Sequence, residues 1–278
     1  MPFNYTIQNH ITQPYYTEGP VVDKEGNIFF TTLSGGSIMK KNIDGRIDVW
    51  ATSACPNGQL ILDNGHHLVC DSKLSSIVQF DREGHYIDNL VHAQCGGQPI
   101  HVPNDLTMDS KGNIYFTDSV RHKGKVGYIS AEGEERIIAG GLDYPNGLAL
   151  STDEKLLYVA ESYKNRIIAI RLPAHQEYKA PGQKAFAWLI NLPCHPSGIS
   201  TSNLPDGIKV DYKGNLWIAH YGMGMVHIVT QGGSLLQSIK TPFPLTSNLF
   251  LKNNTVIVTG GEAEPGPGAV LEITIHHD

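Results

Sequence analysis

Residues 103–119 read PNDLTMDSKGNIYFTDS. A short apolar run at 106–108 leads into Asp109 and Gly112, and a second run at 114–117 is rich in β-branched and aromatic residues. That is a strand, a tight turn and a second strand, with Asp109 opening the turn and Gly112 free to take positive φ. The phrase recurs as TEGPVVDKEGNIFFTT at 17–32, NGQLILDNGHHLVCDS at 57–72, PNGLALSTDEKLLYVAES at 145–162, PDGIKVDYKGNLWIAHY at 205–221 and TSNLFLKNNTVIVTGG at 246–261. Asp23, Asp63 and Asp211, with Gly26, Gly65 and Gly214, repeat the turn.

The first strands begin at Glu18, Gly58, Asn104, Asn146, Asp206 and Ser247, at intervals of 40, 46, 42, 60 and 41 residues. A period of about 40–50 residues with four strands per unit marks propeller blades. Two further strand-like runs follow each hairpin, for example 37–41 with 46–50. The predicted fold is therefore all-β: a six-bladed β-propeller with four-stranded antiparallel blades, occupying residues 1–278 as one domain. The last repeat supplies only three strands, so residues 3–8 are predicted to add the missing outer strand and close the ring. The one long interval marks an insertion at 172–203, read as a lid beside the site rather than a decorated turn.

Composition agrees with many short strands. The 278 residues include 29 Gly and 16 Pro, and only 17% are charged, below the usual share of about 25%. At 40% hydrophobic the chain can bury a large core. The net charge of -6 is spread without a basic block, which argues against nucleic acid and against an anionic membrane surface. No apolar run approaches the roughly 20 residues of a membrane span. The first 17 residues lack a basic-then-apolar signal pattern, and the four cysteines show neither CxxC nor zinc spacing. These features predict a cytoplasmic protein with reduced thiols, a monomer or weak dimer.

In an antiparallel hairpin, the start of the first strand and the end of the second share one edge. The first-strand starts thus form an inner ring around the channel. The second-strand ends, Thr32, Asp71, Asp118, Glu161, His220 and Gly260, form a neighbouring ring. Four inner positions hold two carboxylates (Glu18, Asp206) and two carboxamides (Asn104, Asn146). Pro-Asn-Gly and Pro-Asp-Gly are ordinary turn tripeptides taken singly, but one column of a six-fold repeat is not a single turn. Converging carboxylates repel, and a hard divalent cation relieves them with the oxygen donors it prefers. Asp118, His220 and, more weakly, His101 are candidate substrate contacts at the same mouth.

The ordered Glu-Gly, Pro-Asn-Asp, Pro-Asn-Gly and Pro-Asp-Gly stations, carried by the runs quoted above, resemble the SMP-30/gluconolactonase/luciferin-regenerating-enzyme family over essentially the whole chain. The resemblance implies a six-bladed propeller with one divalent metal in the channel. It implies metal ligands Glu18, Asn146 and Asp206, with Asn104 a fourth ligand or a substrate contact. It also implies hydrolysis of sugar lactones. Val102 and Pro103 stand where the vertebrate members carry an Arg, a departure that bears on sugar specificity.

The expected chemistry is opening of an aldonolactone by metal-assisted attack of water. Asp206 is the expected general base, and Asn104, Asp118, His220 and His101 are expected to hold sugar hydroxyls. Oxygen donors suit calcium foremost, while zinc, magnesium, manganese and iron remain open. Other hydrolytic signatures (GxSxG, HExxH, a P-loop) are absent. The competing readings are a phosphotriesterase-like propeller using the same ligands and a non-catalytic, metal-stabilised binding propeller.

Overall fold

The computed structural model describes residues 3–172, 186–194 and 196–276. Most of these lie in antiparallel strands, and no α-helix occurs among them. Three four-stranded sheets contain the hairpins that start at Thr17, Pro103 and Pro145. A six-stranded sheet carries the one starting at Pro56, and an eight-stranded sheet holds the last two. The eight-stranded sheet joins two units through the single pair Tyr221–Leu245, and strand Asn4–Gln13 lies at its edge against Gly268–His276. The sheets therefore number five, where the repeat predicts six blades, because one bridging pair merges the last two units.

The turns form for the reason the sequence suggests. Asp109 accepts the N–H groups of Lys111 and Asn113 at 3.0 and 2.9 Å, and its other oxygen accepts the Asn113 amide at 2.8 Å. Asp211 does the same for Lys213 and Asn215. Gly112 sits at φ 84°, in the left-handed region that a side chain would strain.

Each first strand packs against the first strands on either side of it, and strand Leu245–Lys252 packs against Thr17–Val22. The arrangement is propeller-like. Between neighbouring repeat units lie the cores. One unites Tyr115, Val126 and Ile138 with Leu148, Leu157 and Ile168, and another unites Trp217, Val226 and Ile239 with Leu249, Val258 and Leu271. Apolar area buried on sheet faces in this way contributes about 25 cal/mol per Å². Of the expected insertion, residues 173–185 and 195 lie outside the described residues; the described end, with Thr201, borders the cavity below.

Candidate active site

All six inner strands carry the same irregularity. Pairing slips by one residue after Glu18, Pro56, Pro103, Pro145, Pro205 and Thr246. These are β-bulges, which bend a strand and re-aim the side chain at the bend. The re-aimed side chains meet: Glu18, Asn104, Asn146 and Asp206 all line one cavity of about 310 Å³. The four residues expected at the inner ring with oxygen donors are thus brought together.

One ring member is corrected. Pro56 pairs with Asp71 as Pro103 pairs with Asp118 and Pro145 with Glu161. The position equivalent to Asn104 and Asn146 is therefore Asn57, not Gly58, and Asn57 lines the cavity. A one-residue slip sends a strand side chain to the opposite face. The signal was present, since Pro56-Asn57-Gly58 repeats Pro145-Asn146-Gly147. Ser247 occupies the sixth position but is spent on structure: its Oγ donates to the Thr17 carbonyl at 2.9 Å and shares a hydrogen bond with Thr259.

The outer ring has a different job. Asp118 is fully buried and its Oδ1 accepts the His101 and Val102 N–H groups at 2.9 and 2.7 Å. Asp71 accepts the Cys55 and Leu74 N–H groups, and Glu161 accepts the Asp143 N–H while pairing with Arg166. Each carboxylate fastens the segment that leads into its own inner strand. His220 is fully buried beside His227. Burial first, then His227, lowers its pKa to about 3, with the Asn203 backbone acting the other way. Asp118, His220 and His101 do not line the cavity. Asp118 and His220 pair with Pro103 and Pro205, the residues preceding the ring residues Asn104 and Asp206.

The cavity wall holds further residues. Tyr16 and Tyr144 stand two positions before Glu18 and Asn146, and Tyr163, Tyr221 and Glu264 complete one side. Tyr144 adopts φ 60°, a strained conformation of the kind held in place at functional sites. Tyr221 donates to Glu264 at 3.0 Å, and Arg121 lies 3.5 Å over the Tyr163 ring. Next to Asn104 in the chain, Asp105 is 2% exposed, with Lys209 Nζ 3.8 Å from its carboxylate.

Electrostatics mark the site as unbalanced. Burial raises the Glu18 pKa to about 8, helped by Asp105 and Glu264 and opposed by the Gly19 N–H and the Asn248 side chain. Asp206 is pushed well above the usual carboxylate range by burial, then by Glu18, Asp105 and Glu264, against a hydrogen bond from Asn146. No Lys, Arg or His lines the cavity among the described residues. The buried Asn57 Oδ1 has no hydrogen-bond partner. Two repelling carboxylates, amide groups and an unpaired amide oxygen fit a hard divalent cation. The one cluster of three His, Cys, Asp or Glu ligand atoms among the described residues is Asp81, Glu83 and His85. It lies at a surface turn where Asp81 already accepts the Glu83 and His85 N–H groups.

The fold and cavity define a propeller-like protein with an oxygen-donor site at one channel mouth. Residues 16–261 match the SMP-30/Gluconolactonase/LRE-like region, and the chain belongs to that family. Lactonase drp35 of Staphylococcus saprophyticus is 30% identical over 237 residues, covering 81% of this chain and 69% of that protein. Lactonase drp35 of Staphylococcus aureus is 28% identical over 278 residues, covering 91% and 81%. Among solved structures, a gluconolactonase from Xanthomonas campestris superposes with a TM-score of 0.76 at 24% identity, covering 95% of this chain and 87% of that one. A calcium-binding protein, regucalcin, from Agrobacterium tumefaciens gives 0.74 at 18% identity, covering 96% and 93%. These two likenesses establish the shared fold.

Proposed function

We propose that this protein is a metal-dependent lactonase, a single six-bladed propeller closed by its N-terminal strand, that hydrolyses sugar lactones to hydroxy acids. The convergence of Glu18, Asn104, Asn146 and Asp206 on one cavity carries the reading. Relatives named as lactonases support the reaction class. Four free cysteines fit a reducing compartment.

Glu18, Asn104, Asn146 and Asp206 would hold one divalent cation, calcium foremost, which would polarise the lactone carbonyl and lower the pKa of nearby water. Asp206 takes the proton of the attacking water, and the ring C–O bond breaks as that proton passes to the departing alkoxide. Tyr144, Tyr163 and Thr201 offer hydroxyls to the substrate from the wall.

The test is hydrolysis of δ-gluconolactone and a panel of other lactones, beside paraoxon, before and after chelation and cation add-back. Turnover that disappears with chelation and returns with the ion supports the proposal. Turnover that survives complete metal removal defeats the metal dependence, and activity on paraoxon alone replaces the substrate class. Asp206→Asn should lower kcat roughly 10²–10⁴-fold; near wild-type turnover would remove Asp206 from the base role.

A further inference from the structure

We propose that Asn57 is a fifth protein oxygen donor to the cation, and that it biases the site toward calcium over magnesium. The inference rests on the reading that the cavity binds a divalent ion, and it adds a ligand the sequence stations do not supply.

Three independent observations converge on Asn57. Its register is the first: Asn57 follows a bulge residue just as Asn104, Asn146 and Asp206 do. The second is its fixed backbone. The Asn57 carbonyl accepts the Thr31 hydroxyl at 2.9 Å, and Gly19, at φ 46°, brings its own strand so near that a Cβ there would lie 2.3 Å from that carbonyl. The third is chemical. The side chain is 6% exposed and lines the cavity, yet its Oδ1 has no partner. Buried amide oxygens are almost always paired, so an orphan on a residue that lines the same cavity as Glu18 and Asp206 asks for a cation.

Ser247 shows what a ring position looks like when it is not reserved, for its hydroxyl is consumed by Thr17 and Thr259. Five of the six inner positions then offer an oxygen donor to the cavity, two of them charged. Calcium accepts six to eight oxygens in flexible geometry, whereas magnesium demands a near-ideal octahedron and keeps several waters. A five-donor arc from separate strands therefore suits the larger ion.

The experiment is calorimetric titration of the chelator-treated full chain with calcium chloride and, separately, magnesium chloride. It uses wild type, Asn57→Ala and Asn57→Asp, with melting temperatures recorded for each. Loss of outer-shell support alone costs about 10–100-fold in metal affinity, so loss of a direct ligand should cost calcium at least about tenfold. Magnesium should change less than about threefold, and Asn57→Asp should hold calcium as tightly as wild type or more so. Calcium binding by Asn57→Ala equal to wild type overturns the assignment, as does a raised KM with unaltered calcium affinity. If Asn57→Ala fails to fold, Asn57→Leu, of similar volume and without an oxygen donor, decides: calcium affinity lowered at least about tenfold supports the ligand, and unchanged affinity overturns it. A wild type that binds neither ion sinks the cation reading itself, with this inference.

Discussion

The Glu18 carboxylate pushes the Asp206 carboxyl upward in pKa, although the two residues lie in the first and fifth repeats of the chain. Both line the same cavity wall, nearly sealed from solvent. Repulsion of this kind costs stability unless a proton or a cation intervenes.

Metal-free protein should therefore lose stability as pH rises toward 8. Glu18 has a folded pKa of about 8, above its unfolded value, so the folded state binds the extra proton. That stabilisation is complete below the unfolded pKa and is lost as pH passes through 8, at up to about 1.4 kcal/mol per pH unit for one proton. Melting curves of chelated protein between pH 6.5 and 8.5 measure it. Glu18→Gln should flatten the slope. Calcium at about 100 times its Kd should raise stability by about 2.7 kcal/mol.

Asp118→Ala should destabilise without touching substrate affinity. It strips two buried N–H groups, those of His101 and Val102, of a charged acceptor. The loss should be about 2–3 kcal/mol, with the lactone KM held within about twofold. A KM raised tenfold at unchanged melting temperature would return Asp118 to the substrate site.

Acid should unfold the protein through its buried imidazoles. Burial lowers His67 and His227 to about 4 and His220 to about 3. Their neutral folded forms contribute stability that is complete above the unfolded pKa of about 6.5 and lost as pH falls toward 4. Urea midpoints from pH 7 to 4 should fall steeply, and His227→Gln should shallow the decline. An unchanged slope would place the acid sensitivity elsewhere.

Deleting residues 1–9 should lower the melting temperature by several degrees or more. Strand Asn4–Gln13 covers Gly268–His276, Phe3 stacks on Trp217 at 5.5 Å, and Gln237 holds both the N–H and the carbonyl of Phe3. Differential scanning calorimetry decides, and an unchanged Tm would show that the last sheet needs no outer cover.

The hairpins and the oxygen-donor column were legible because strands and Asp-Gly turns leave a local, periodic trace. Glu18, Asn104, Asn146 and Asp206 were found by their repeat positions alone. Asn57 was misplaced by one residue, since an alternation of two gives no tolerance for a slipped start. Asp118 and His220 share the mouth in sequence but pair with Pro103 and Pro205, one residue ahead of the ring. Which face such a side chain takes depends on the bulge, a feature with no compositional mark here. Tyr16, Tyr144 and Glu264 come from connecting segments, whose final position depends on packing across the whole molecule.

The inserted residue near the start of every inner strand separates two obligations that a regular strand would bind together. Downstream, side chains such as Leu148, Ile208 and Leu249 stay committed to the interior. Upstream, a substitution can change what the mouth grips without shifting the hydrophobic register behind it. A scaffold with that division can be re-equipped one station at a time, and specificity can drift while the body of the molecule stays as it is.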